Sequence, residues 1–220
     1  MRDMLLFAIG SALLMMICAI WYGFSLRNNR KKAVRIMRWI EAALAGQGCI
    51  VGVRWLASSR FKVPLRLTCG TFQRAWIVVE LAPRESPITW LSSQMKKRQD
   101  LLVFEADLDL PPAFSLDVHN LHWLARSTRK NSGNDIRWTF EQATPLVIST
   151  RIEWQKEITS TMSSLTTGNY REFLNIRYQR KSPNFSVTLP MDAFAPGSRT
   201  RTYIFENMRE LAANASASLS

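Results

Sequence analysis

Residues 4–26 carry no formal charge, and six basic residues follow at once: Arg27, Arg30, Lys31, Lys32, Arg35 and Arg38. No other feature constrains this chain as strongly. Roughly 20 apolar residues at about 1.5 Å each cover the hydrocarbon core of a bilayer. The stretch MLLFAIGSALLMMICAIWYGFSL is long enough, and a helix in lipid tolerates its Gly10, Ser11 and Gly23. Trp21 and Tyr22 stand near its end, where amphipathic rings favour the membrane interface. Residues 4–26 are therefore expected to form a transmembrane anchor.

A cleaved signal peptide is the rival reading. Such peptides have a basic start, a short apolar stretch and a small-x-small cleavage site. Here Arg2 is offset by Asp3, the apolar run is too long, and bulky Ile20-Trp21-Tyr22 follows Cys18-Ala19. Met15-Met16-Ile17 also lacks the small residues expected before a lipidated cysteine. Orientation follows from flank charge. The six basic residues lie C-terminal to the span with no acid before Glu41, so the rest of the chain is expected in the cytoplasm. Beside anionic headgroups each of Arg27, Arg30, Lys31, Lys32, Arg35 and Arg38 contributes about 1 kcal/mol, weakened by salt. These six are the candidate lipid-binding residues, and anionic membrane lipid is the expected partner surface.

The remainder is long enough for one domain with its own core. The chain's net charge of +12 calls for anionic neighbours. Membrane lipid is the economical one and nucleic acid the alternative. Cys18 lies inside the span, while Cys49 and Cys69 form no CxxC pair and no zinc-like spacing. In the cytoplasm both are expected to stay reduced as small buried hydrophobes.

Residues 27–47 read as a basic juxtamembrane amphipathic helix. Ala33, Ile36, Met37, Ile40 and Leu44 share one face, Lys31, Lys32, Arg35 and Arg38 the other, and Gly46 and Gly48 end it. Such a helix can lie on the bilayer surface or pack on the domain, and its mostly aliphatic apolar face, leading directly into strands, favours the domain. Residues 48–213 read as an α+β domain, and 214–220 as a flexible tail. A first hairpin sets Trp55 opposite Val63 and Cys49 opposite Cys69, with Arg54, Lys62 and Arg66 on the other face. Pro64 marks an edge segment without a partner. Residues 72–81 form a third strand with Ala75, Ile77, Val79 and Leu81 on one side. Ser86-Pro87 caps a helix that reaches Arg98. Strands follow at 101–110, 136–140 and 146–150, with residues 113–124 ambiguous and 126–135 a loop. Residues 151–165 are an expected helix. A second hairpin pairs Leu174, Ile176 and Tyr178 with Phe185, Val187 and Leu189, and a last helix spans 200–213. The hairpins VRWLASSRFKVPL and IRYQRKSPNFSVTL resemble each other in Arg-aromatic, a polar turn with Ser, and Phe-x-Val-x-Leu.

The strongest metal constellation is Glu105, Asp107, Asp109, Asp117, His119 and His122, hard oxygen and imidazole donors in a short stretch. Its tightest subset is Asp107, Asp109, His119 and His122. The two histidines share a face only if their segment is helical. The spacing matches no defined metal motif, so no metal is expected, and a solvated acidic strand face is the preferred reading. No nucleophile elbow, Walker pattern or dinucleotide glycine pattern occurs, so neither a catalytic residue nor a cofactor is expected. Between residues 42 and 79 there are five basic residues and no acid. With Trp90 or Trp138 nearby, that face would stack bases, but no nucleic-acid-binding motif accompanies it, and nucleic acid is the less expected partner.

The resulting expectation is a single-pass anchored protein. Its cytoplasmic α+β domain would hold an antiparallel-rich sheet with two hairpins and about four helices on one side. A non-enzymatic binding or scaffold role toward a protein partner comes first. A membrane-tethered enzyme acting on an envelope or lipid-linked substrate is the alternative, and a tethered nucleic-acid binder the third reading. The sequence names neither the partner nor an oligomeric state.

Overall fold

One helix, α1 (Arg2–Ala43), runs through both the apolar stretch and the basic segment after it. No glycine or proline stands between Gly23 and Gly46, so nothing in the sequence breaks it. The structure, a computed structural model, describes residues 2–68, 70–84, 86–95, 99–120, 135–140, 146–151, 173–195, 197 and 203–217. Among these residues ten strands form one antiparallel sheet: β1 (Gly48–Ile50), β2 (Arg54–Ala57), β3 (Arg60–Leu67), β4 (Phe72–Glu80), β5 (Leu101–Leu108), β6 (Leu116–Asn120), β7 (Asp135–Phe140), β8 (Leu146–Arg151), β9 (Asn175–Tyr178) and β10 (Phe185–Pro190). The order is β1-β3-β4-β5-β10-β9-β6-β8-β7, with β2 also on the outer edge of β3. Helices α2 (Pro87–Met95) and α3 (Ile204–Ala217) complete the α+β architecture.

The described residues thus hold three α-helices rather than the anchor and about four more. The expected anchor and juxtamembrane helix are one element, and the helix expected at 151–165 lies, but for Arg151 in β8, outside the described residues. The predicted apolar face does enter the core: Ala33, Ile36, Ile40 and Leu44 are buried, and Met37 packs beside them. Gly46 (φ +83°) turns the chain after α1, a conformation that favours glycine. Gly48 pairs with Leu67, and a Cβ there would run into the Arg66 carbonyl oxygen. Helix α3 buries Ile204, Phe205, Met208, Leu211, Ala212 and Ala215 at helical spacing. Burial of Leu211, Ala212 and Ala215 explains why the helix continues to Ala217, past the point where a loose tail was expected. The Tyr178 hydroxyl donates to the Leu211 carbonyl at 3.1 Å, tying α3 to β9.

The first hairpin forms with a different register. A two-residue turn at Ser58-Ser59 pairs Ala57 with Arg60, and a bulge follows, so Trp55 meets Phe61 rather than Val63. Cys49 meets Arg66, not Cys69, which lies outside the described residues. Pro64 sits in the interval between the β1 and β2 pairings, as its missing N–H requires. Helix α2 starts where predicted, with the Thr89 N–H donating to Ser86 Oγ at 3.2 Å, and is described to Met95; residues 96–98 of the expected helix lie outside the described residues. Residues 113–124 were ambiguous, and residues 116–120 of them are strand β6, so His119 is not on a helix. The loop predicted at 126–135 falls outside the described residues except for Asp135.

The two hairpins occupy equivalent places in the sheet. In the central pair, Ile77 meets Phe104. Two residues further along each strand, Val79 pairs with Phe61 and Ala106 with Phe185. Phe61 then faces Trp55, and Phe185 faces Tyr178. A local two-fold axis through the Ile77–Phe104 pair therefore relates β2-β3-β4 to β9-β10-β5. The ring pairs match as well, with centroids 5.0 Å apart for Trp55–Phe61 and 5.2 Å for Tyr178–Phe185.

Candidate functional site

The sheet face turned away from the α1 and α3 core carries the polar chemistry. On β3 the side chains alternate, with Phe61, Val63 and Leu65 buried and Lys62, Pro64 and Arg66 on the outer face, as predicted. Arg54 pairs with Lys62 in register, which brings the expected Arg54, Lys62 and Arg66 set together on this face. The Lys62 ammonium lies 3.7 Å from the Trp76 ring centroid, a cation–π contact. The Trp76 indole N–H donates to Glu105 across the β4–β5 pair. Arg74 ion-pairs with Asp107 at 3.1 Å, and the Ser182 hydroxyl donates to Asp107 at 2.7 Å. An open groove of about 580 Å³ crosses β3 and β4, with Lys62, Arg66, Arg74, Trp76 and Asp107 in its walls.

These contacts settle what the acidic strand does. Glu105 and Asp107 face basic and indole groups of β4, and Asp109 accepts from Gln73 at 3.3 Å. Asp107 is nearly buried rather than solvated. The metal candidates are not gathered. His119 lies on β6, three strands from the β5 of Asp107 with β10 and β9 between them, at least roughly 14 Å away at the ordinary strand spacing. It stands 3.7 Å from Asp117, which Arg177 engages at 2.9 Å. His122 lies outside the described residues. Among the described residues no three metal-ligating side chains cluster. Neither expected stacking tryptophan adjoins the basic face: Trp90 packs on Trp21 of α1, and Trp138 lies on β7 at the opposite sheet edge.

Of the six candidate lipid contacts, Arg27, Arg30, Lys31, Arg35 and Arg38 are exposed along one stripe of α1. Lys32 differs. Its ammonium reaches Asp100 Oδ2 at 3.0 Å, while Asp100 Oδ1 accepts the Ala82 N–H at 2.6 Å. Cys49 is an exposed free thiol, not a core residue, because β1 is a three-residue edge strand and Cys49 projects away from the core.

A feature that alternation alone does not reveal is the outer edge of β2, which pairs with no strand among the described residues. All four of its residues are exposed, with Trp55 at 40% and Leu56 at 49%, and Val51 and Val53 just before it are exposed too. At the symmetry-equivalent edge β9 is covered by β6, which pairs Asp117 with Arg177. Arg54 holds the place of Arg177 and makes no ion pair among the described residues. No protein-family model matches this chain, and no curated protein matches it.

Proposed function

We propose that the protein is a single-pass, N-terminally anchored membrane protein whose domain lies in the cytoplasm and binds a protein partner, as a tether or scaffold. The division of α1 carries this reading. Its most apolar window buries nothing on the domain, while the same helix from Ser25 onward inserts Ala33, Ile36 and Ile40 into the domain core. An apolar surface of that size needs a non-aqueous neighbour, and its length suits a bilayer. The basic flank after the span supports the cytoplasmic orientation.

The bare β2 edge is where the partner binds in this reading. Unpaired backbone groups, exposed apolar side chains and a basic residue suit an added strand with apolar residues and a carboxylate. The fold already makes this arrangement once, where β6 adds to β9 and sets Asp117 against Arg177. A reporter fused after Ser220 tests the topology: activity only in the cytoplasm is expected, and activity on the other side overturns it. Capture of the intact protein from its own membranes tests the edge. Proteins retained by the wild type are expected to be lost with Arg54→Glu combined with Leu56→Asp, two changes at exposed positions. An identical set from both overturns the edge assignment.

A further inference from the structure

Helix α2 presents an apolar face that the domain leaves open. Ile88 is 81% exposed, Leu91 56% and Met95 78%, and their spacing puts them on one side of the helix. Ser93, its buried residue, points the other way, toward the body of the domain. The helix is held against α1: the Trp21 indole N–H donates to the Arg84 carbonyl at 3.2 Å, and the Trp21 and Trp90 rings meet edge to face at 5.6 Å.

That contact sets the depth of α2. Trp21 precedes Arg27, the first basic residue after the span, by six residues, or about 9 Å along the helix. Helices that lie in the membrane interface bury their apolar face about 5–10 Å into the headgroup and acyl boundary. The chain after α2 continues Lys96-Lys97-Arg98, and no acid occurs from Ser86 to Gln99. A short helix with one aliphatic face, a basic sequel and a tryptophan contact at the end of a membrane span has one neighbour that fits all three.

We infer that α2 is an interfacial helix that inserts Ile88, Leu91 and Met95 among the lipids of the leaflet facing the domain, giving the protein a second membrane contact. The inference rests on the reading of α1 as a span. A photoactivatable benzophenone residue placed singly at positions 15, 89, 91 and 95 of the full-length protein tests both. The protein is reconstituted in phosphatidylcholine–phosphatidylglycerol bilayers, irradiated, and its adducts are weighed by mass spectrometry. Lipid adducts are expected at 15, 91 and 95, with severalfold fewer at 89 on the polar side. Lipid adducts at 15 without any at 91 and 95 overturn the inference and leave the span intact. Protein adducts at 91 and 95 overturn it in favour of a protein neighbour. A lack of lipid adducts at 15 overturns the span and this inference together.

Discussion

The Lys32 ammonium and the Asp100 carboxylate meet at 3.0 Å, joining α1 to the start of β5. The second oxygen of Asp100 holds the Ala82 N–H just past the end of β4. A side chain that by position belongs to the basic flank is thus spent inside the protein. Asp100→Ala removes both bonds and is expected to cost on the order of 1–3 kcal/mol, since the Ala82 N–H loses its acceptor. Lys32→Ala leaves that acceptor in place, and its expected cost is up to about 1 kcal/mol. Denaturant midpoints of the two variants check the order.

The second half of α1 is part of the core, so fragment boundaries matter. Ile36, Ile40 and Leu44 together contribute roughly 5–9 kcal/mol by burial, against a typical domain stability of about 5–15 kcal/mol. A fragment beginning at Leu26 is expected to fold cooperatively, and one beginning at Ala45 is not. Circular dichroism melts of the two fragments decide this.

Cys49 offers a direct probe of side and of fold. Exposed on the edge strand, it is expected to react rapidly with a membrane-permeant thiol reagent in intact cells. An impermeant reagent is expected to leave it unmodified until the membrane is opened. Labelling of Cys49 by the impermeant reagent in sealed cells contradicts the cytoplasmic placement.

Continuity of α1 divides the basic stripe. Arg30 and Lys31 lie within about 6 Å of Arg27 along the axis, whereas Arg35 and Arg38 lie about 12 and 17 Å beyond it. Surface attraction fades over a Debye length of about 8 Å at physiological salt. Replacing Arg27, Arg30 and Lys31 with Gln is expected to weaken binding of the Leu26–Ser220 fragment to anionic vesicles by about 1 kcal/mol per charge at low salt. Replacing Arg35 and Arg38 is expected to change it far less. Sedimentation with anionic and with neutral vesicles separates charge from apolar attraction. Equal losses from the two sets contradict the upright helix.

Local patterns gave the elements, and pairing chemistry decided the rest. Alternation placed β3, β4, β9 and β10 and the face of each residue, and helical spacing placed the buried side of α1. Both are short-range signals that follow from side-chain direction. The hairpin register was not legible because it depends on a two-residue turn and a bulge at Leu56, which shift partners without disturbing alternation. The fate of Asp107, Asp109 and His119 was illegible for another reason. Two strands from much later in the chain, β9 and β10, insert between β5 and β6. Residues near in sequence are thereby parted, while Arg177 is brought to Asp117 from 60 residues away. The bare β2 edge shows only when the sheet order is known.

Many anchored domains hang on a flexible leash and sample a hemisphere of orientations. With α1 as the proposed anchor there is no such joint, because the helix that would enter the lipid also carries Ile36 and Ile40 into the core. At about 63 Å in length, α1 is a mast to which the sheet is fixed. Bilayers of different thickness change the tilt of a spanning helix. In that reading the tilt passes to β2 and the groove beside it, so membrane thickness becomes a direction in which the domain points.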